Sequence, residues 1–168
     1  RAPARYAVPS DRPWWAPADI LTAMRIPLAI AFLLVPDHDW RLVILASAAA
    51  SDFADGFVAR RWGGSRLGAF LEPVADELFM ACAFAVVLFS GALAPLEVLG
   101  VLARDVAAAV AFLTTVMLRK PAVIPARLGG KVVTSGQLLT VLAYLLESSL
   151  LRPVAWATAA VALYAILD

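Results

Sequence analysis

Six stretches of the chain, at residues 18–35, 40–60, 68–90, 94–118, 130–149 and 153–168, are mostly apolar and lie near 20 residues in length. An α-helix needs about 20 residues to cross the ~30 Å of hydrocarbon in a bilayer. The pattern therefore predicts an all-α, polytopic integral membrane protein with six transmembrane helices. Composition supports this at one point: 16% of residues are charged and the mean hydropathy is +0.84, whereas soluble domains run near a quarter charged. A length of 168 residues fits one domain.

Residues 1–17 read as a juxtamembrane arm and 18–168 as the six-helix domain. The arm, RAPARYAVPSDRPWWAP, is too polar and proline-rich for a signal peptide. Trp14 and Trp15 suit the headgroup level, and Arg1, Arg5 and Arg12 suit an anionic leaflet. Between the apolar stretches lie PDHDW, RRWGGSR, SGALAP, RKPAVIPARLGGK and ESSLLRP. Arg60, Arg61 and Arg66 crowd the second of these loops, and Arg119, Lys120, Arg127 and Lys131 the fourth. By the positive-inside rule, the N-terminus and these two loops face the cytoplasm. The net charge of +1 gives no reason to expect a nucleic-acid partner. Cys82, the one cysteine, reads as a small buried hydrophobe, and His38 as a solvated turn residue.

Into this apolar chain the segment SDFADGFVARRWGGSRLGAFLEPVAD puts Asp52, Asp55, Glu72 and Asp76. Asp52, Asp55, Gly56 and Ala59 recur at i, i+3, i+4 and i+7, on one face of the second helix, while Glu72 and Asp76 stand at i and i+4 on the third. A tight turn makes the two helices antiparallel neighbours, so both pairs converge. Four ionised carboxylates in one space repel strongly and lose hydration, unless protons or cations neutralise them. Oxygen donors without His or Cys select hard divalent ions such as Mg²⁺ or Mn²⁺, and four carboxylates suffice for two of them. Gly56, Ala59 and Gly68 would leave the adjoining surface hollow enough for a flat ligand. Small residues also serve close helix packing, and carboxylate–arginine pairs also serve structure or an ion path.

DFADGFVAR, then RWGGSRL, then GAFLEPVAD together resemble the signature of the CDP-alcohol phosphotransferases. ADILTAMRIPLA is similar to that family's first helix, LARDV to its fourth, and IPARLGGKVVTSGQ to the opening of the fifth in phosphatidylglycerophosphate and cardiolipin synthases. The resemblance implies a six-helix fold, commonly a homodimer, in a bacterial-type inner membrane with its active site at the cytoplasmic face. It implies that an acceptor hydroxyl attacks the lipid-linked phosphorus of CDP-diacylglycerol and that CMP leaves. Asp52, Asp55, Glu72 and Asp76 would then be ligands of two Mg²⁺ or Mn²⁺ ions, with Asp76 also the general base. Gly56, Ala59, Arg60, Gly68 and Thr22 would contact the cytidine diphosphate. The chain departs from the family pattern in having Glu72 for an aspartate, a spacer between Arg60 and Gly68 one residue shorter, Asp19 for an asparagine, and Glu77 where lysine is common.

Arg104 lies within the fourth helix, where a bare charge costs at least ~2.5 kcal/mol, so it needs a partner or a ligand. Asp105 is adjacent but points about 100° away around the helix. Arg104, Arg127 and Lys131 together would suit a phosphate, as in glycerol 3-phosphate, the first-choice acceptor. Phosphatidylglycerol, as used by a cardiolipin synthase, is the alternative, since LARDV also resembles that branch. Two other readings remain open: a homologue with impaired turnover because of Glu72, and a membrane cation transporter using the aspartates as an ion site.

Overall fold

The computed structural model describes residues 13–63, 65–117 and 128–167. Six helices carry them: α1 (Pro17–Leu34), α2 (His38–Trp62), α3 (Arg66–Phe89), α4 (Pro95–Met117), α5 (Leu128–Leu145) and α6 (Leu151–Leu167). No strand occurs among the described residues. Each helix falls on one of the six apolar stretches. Among the described residues α1 alone is both long and apolar enough to cross a bilayer; Val132–Leu145 and Leu151–Ile166 are apolar but shorter. The six expected helices are present, and one of them meets the requirement for a crossing by length and composition.

The chain divides into two compact units, Arg1–Ala83 and Phe84–Asp168, with the boundary inside α3. In the first, α1 opens with Pro17, whose missing N–H is no loss at a helix start. The Asp19 carboxylate reaches back to accept from the Ala16 N–H at 2.8 Å. Ala16 has no side-chain oxygen, so only this half of a capping box forms. Asp37 caps α2 by accepting from the Trp40 N–H at 3.0 Å, and Arg60 and Arg61 in its last turn complement the helix dipole. Gly63 ends α2 at φ +86°, a conformation that favours glycine. Arg41 ties α2 to the end of α1: its Nε donates to the Phe32 carbonyl at 3.1 Å, a group the helix itself leaves unpaired. The Phe32 ring in turn meets Phe79 of α3 edge-on, with centroids 5.6 Å apart.

The polarity of α1 runs opposite to that of a soluble amphipathic helix. Asp19, Thr22 and Arg25 are buried with Ala18, Ala29 and Phe32, while Ile20, Met24, Ile30 and Leu34 are exposed. The same inversion marks α2, where Asp55 is buried between exposed Phe53 and Phe57. Polar groups turned inward and apolar ones outward are what a lipid-facing helix requires.

In the second unit α6 packs against both α4 and α5. Two small residues set the spacing: a Cβ on Gly136 would lie 2.6 Å from Thr158 Oγ1, and one on Gly100 would lie 3.1 Å from the Ala159 Cβ. Glu97 starts α4 by accepting from the Ala94 N–H at 2.8 Å, and its other oxygen accepts from Trp156 Nε1 of α6 at 3.1 Å. At the far end of α5, Glu147 takes a left-handed φ of 50°. Its N–H bonds the Tyr144 carbonyl and the Ser148 N–H bonds that of Ala143. This paired C-terminal cap ends α5 four residues before the apolar stretch does.

Candidate active site

The α2–α3 turn is fastened to the start of α1. Ser65 donates to the buried Asp19 carboxylate, with both oxygens within 2.8 Å, and its Oγ accepts from the Gly68 N–H at 2.7 Å. The Leu67 N–H donates to the Trp14 carbonyl at 3.1 Å. Asp19 is therefore a tie between elements. A Cβ on Gly68 would collide with its Oδ1, so the space over Gly68 is filled by Asp19 and Ser65.

With the turn so held, the facing carboxylates meet. Oxygens of Asp52, Asp55 and Glu72 lie within 4.8 Å of one another. Asp55 is buried, whereas Asp52, Glu72 and Asp76 keep exposed side chains. Asp76, one turn beyond Glu72, joins the group through Arg25 of α1. The Arg25 side chain is 2% exposed. One terminal nitrogen donates to Asp76 Oδ1; the other donates to Asp55 Oδ2 and lies 3.1 Å from Asp52 Oδ1. Thr22, one turn before Arg25, donates its hydroxyl to Asp55 Oδ2 at 2.8 Å, with the Ala18 carbonyl a longer alternative at 3.2 Å. One guanidinium against four carboxylates leaves three negative charges in surplus. The donor set is all oxygen, which suits a hard divalent cation.

Of the other residues singled out in the sequence, Gly56 lies on the same α2 face, with Arg60 closest to it: a Cβ there would be 3.4 Å from an Arg60 terminal nitrogen. Ala59 is in α2 and Lys131 in α5, both with side chains outside the described residues; Arg127 lies outside them altogether. Arg104, in the second unit, is half-buried and finds its partner in Asp105, at 3.4 Å. Asp105 starts about 100° away around the helix, yet its carboxylate lies within reach of the long Arg104 side chain. The other Asp105 oxygen accepts from Gln137 Nε2 of α5, which also donates to the Val101 carbonyl at 3.2 Å. Arg25 and Ser65 are the site residues that sequence reasoning missed. For Arg25 the signal was present, since a cation inside an apolar helix calls for a partner.

The CDP-alcohol phosphatidyltransferase family matches residues 15–166, nearly the whole chain. The chain belongs to this family. Among curated relatives, the CDP-diacylglycerol–glycerol-3-phosphate 3-phosphatidyltransferases of Escherichia coli (strain K12), Escherichia coli O157:H7 and Shigella flexneri serotype 5b (strain 8401) are each 43% identical over 75 residues. That stretch covers 40% of this chain and 41% of each relative, so the chain matches about two fifths of their length. CDP-alcohol phosphatidyltransferases are membrane-associated and use a divalent metal, and Asp52, Asp55 and Glu72 form an acidic triad fit to hold one.

Proposed function

We propose that this protein transfers a phosphatidyl group from CDP-diacylglycerol to glycerol 3-phosphate, releasing CMP, at the cytoplasmic face of a membrane. The observation that carries the reading is the convergence of Asp52, Asp55 and Glu72 within a chain matched to the family almost from end to end. Asp52, Asp55, Glu72 and Asp76 would hold Mg²⁺ or Mn²⁺, two ions in all, whose charge would offset that developing on the diphosphate oxygens. The chain's own residues supply the rest. Asp76 takes the proton of the acceptor hydroxyl as its oxygen bonds to the lipid-linked phosphorus, and the bond from that phosphorus to the CMP oxygen breaks. Its half-exposed side chain suits this proton transfer, which needs an open oxygen within hydrogen-bond reach. Gly56, Ala59, Arg60 and Thr22 are proposed to line the nucleotide, with Thr22 acting through its hydrogen bond to Asp55, whereas Gly68 is proposed to serve the site only by admitting Asp19 and Ser65 against the start of α3.

The choice of glycerol 3-phosphate rests on the relatives' names and on Arg104, a half-buried cation braced by Asp105 and Gln137 and so suited to a phosphate. Arg127 and Lys131 are proposed to assist it, and the assembly to be a homodimer. The test is CMP release by the purified protein in liposomes with CDP-diacylglycerol and Mg²⁺ or Mn²⁺. Glycerol 3-phosphate and phosphatidylglycerol are supplied in separate reactions. Release with glycerol 3-phosphate alone is the expected result. Release with phosphatidylglycerol alone would move the protein to the cardiolipin-forming branch. Cation flux without CMP release would instead support a transporter.

A further inference from the structure

Among the described residues Arg25 is the one cation in contact with the carboxylates of the cluster, and no part of the proposed reaction uses it. It comes from α1, whereas the carboxylates come from α2 and α3, and it touches three of the four. Each contact takes a single oxygen: Oδ1 of Asp52, Oδ2 of Asp55 and Oδ1 of Asp76. The opposite oxygen of each, and both oxygens of Glu72, have no hydrogen-bond partner among the described residues. A planar guanidinium has its donors in a fixed fork, so it dictates not only where these carboxylates lie but which oxygen each turns away. Thr22 fixes the same Asp55 oxygen from the same helix. The remaining donor, Arg25 Nε–H, is buried without an acceptor among the described residues. A buried unpaired donor is costly, and an incoming anionic oxygen is the kind of group that relieves it.

We propose that Arg25 is the built-in counter-cation and positioning residue of the site: it holds one oxygen each of Asp52, Asp55 and Asp76 and leaves the others turned toward divalent cations. The inference rests on the proposed function, because it assumes that those cations bind there. Two consequences separate this role from mere packing. Without Arg25 the cluster's repulsion is unopposed until metal arrives, so the fold comes to depend on metal. With lysine in its place the charge remains but the planar fork is lost, and a compact, rotatable ammonium does not dictate which oxygen each carboxylate turns away.

The experiment compares wild type, Arg25→Gln and Arg25→Lys as full chains in detergent. Mn²⁺ binding is read by electron paramagnetic resonance, Tm with EDTA or saturating Mn²⁺, and CMP release with kcat and KM separated. Wild type is the control on the function itself: no Mn²⁺ binding or no CMP release there defeats the proposed function, whatever the variants do. Given a working wild type, Arg25→Gln should show a Mn²⁺-induced rise in Tm at least twice that of wild type. Arg25→Lys should match wild type in EDTA yet lose about 100-fold in kcat, the scale of a misplacement of about 1 Å. Its KM for CDP-diacylglycerol should change less than threefold by the same reasoning. A Mn²⁺-induced rise in Arg25→Gln equal to that of wild type would overturn the counter-cation role, and full kcat in Arg25→Lys would overturn the positioning role. If Arg25→Gln does not fold even with Mn²⁺, Arg25→Lys alone decides.

Discussion

Two arginine clusters in this chain, one around buried Arg25 and one around half-buried Arg104, differ in how their charge is balanced. Around Arg104 one cation meets one carboxylate, Asp105, whose second oxygen is taken by a neutral amide, Gln137. Every partner is matched, and the group is complete as it stands. Around Arg25 one cation meets Asp52, Asp55 and Asp76, with Glu72 close by. Here the carboxylates outnumber the guanidinium four to one. A balanced group of this kind is inexpensive to keep buried, while a surplus of like charge persists only where something else neutralises it. The surplus therefore points to cations at the Arg25 cluster, whereas the balance at Arg104 leaves a braced cation with donors to spare for an anion.

The comparison breaks most decisively at Asp76. Asp76→Asn keeps an oxygen for Arg25 but takes no proton, so CMP release should fall about 1,000-fold, within the usual range for a general base. Binding of CDP-diacylglycerol should persist; CMP release at the wild-type rate would remove Asp76 from the base role. Next in size is Asp55, the most buried of the four. Asp55→Ala withdraws the most buried partner of a buried guanidinium but also relieves part of the carboxylate repulsion, so the loss should stay below the ~3 kcal/mol of a buried charge left unpaired. Two carboxylates remain on Arg25, which also limits the loss. Thermal unfolding in detergent measures it, with Asp52→Ala as the comparison, because Asp52 is exposed and its loss should cost less.

Arg104 should behave otherwise. Arg104→Gln ought to raise the KM for glycerol 3-phosphate about tenfold, the loss of one charge-assisted hydrogen bond to phosphate. Unfolding should shift little, because Gln137 still holds Asp105. An unchanged acceptor KM with a clear loss of stability would make the Arg104 group structural, and the contrast with Arg25 would then lie in ligand binding as a whole rather than in ligand sign.

The six helices were legible because their signal is additive: each apolar stretch outweighs any local exception, and each observed helix lies on one. The carboxylate convergence was legible too, since Asp52 and Asp55 share a helical face and the short turn brings Glu72 and Asp76 opposite them. What the sequence did not reveal were ties whose partners lie far apart along the chain. Ser65 is 46 residues from Asp19 and Arg25 is 51 from Asp76, and no spacing rule links such positions. The reading of Gly68 shows the same gap. A glycine one turn before Glu72 looked like room for a ligand, whereas Asp19 and Ser65 fill that room. Burial of charge in α1 was half legible: the reasoning applied to Arg104 holds for Arg25 as well, but only the fold shows that its partners are the carboxylates themselves.

The smallest expected effect concerns Glu72, the carboxylate that Arg25 does not touch. With no guanidinium contact fixing it among the described residues, its side chain would answer to whatever cation the triad held, and its extra methylene gives it reach from the helix start that Asp19 and Ser65 pin in place. Glu72→Asp should therefore leave kcat equal to wild type or raise it by no more than about threefold, because an unconstrained ligand can reorient to offset the ~1.5 Å of reach lost with a methylene, whereas an uncorrected misplacement of ~1 Å costs about 100-fold. Electron paramagnetic resonance of bound Mn²⁺ in both forms, alongside CMP release, measures it. Complete loss of turnover in Glu72→Asp, with Mn²⁺ still bound, would show that this pocket is shaped for the longer side chain. Glu72 would then be as firmly positioned as the three carboxylates on Arg25, and the distinction between held and free ligands within the cluster would fail.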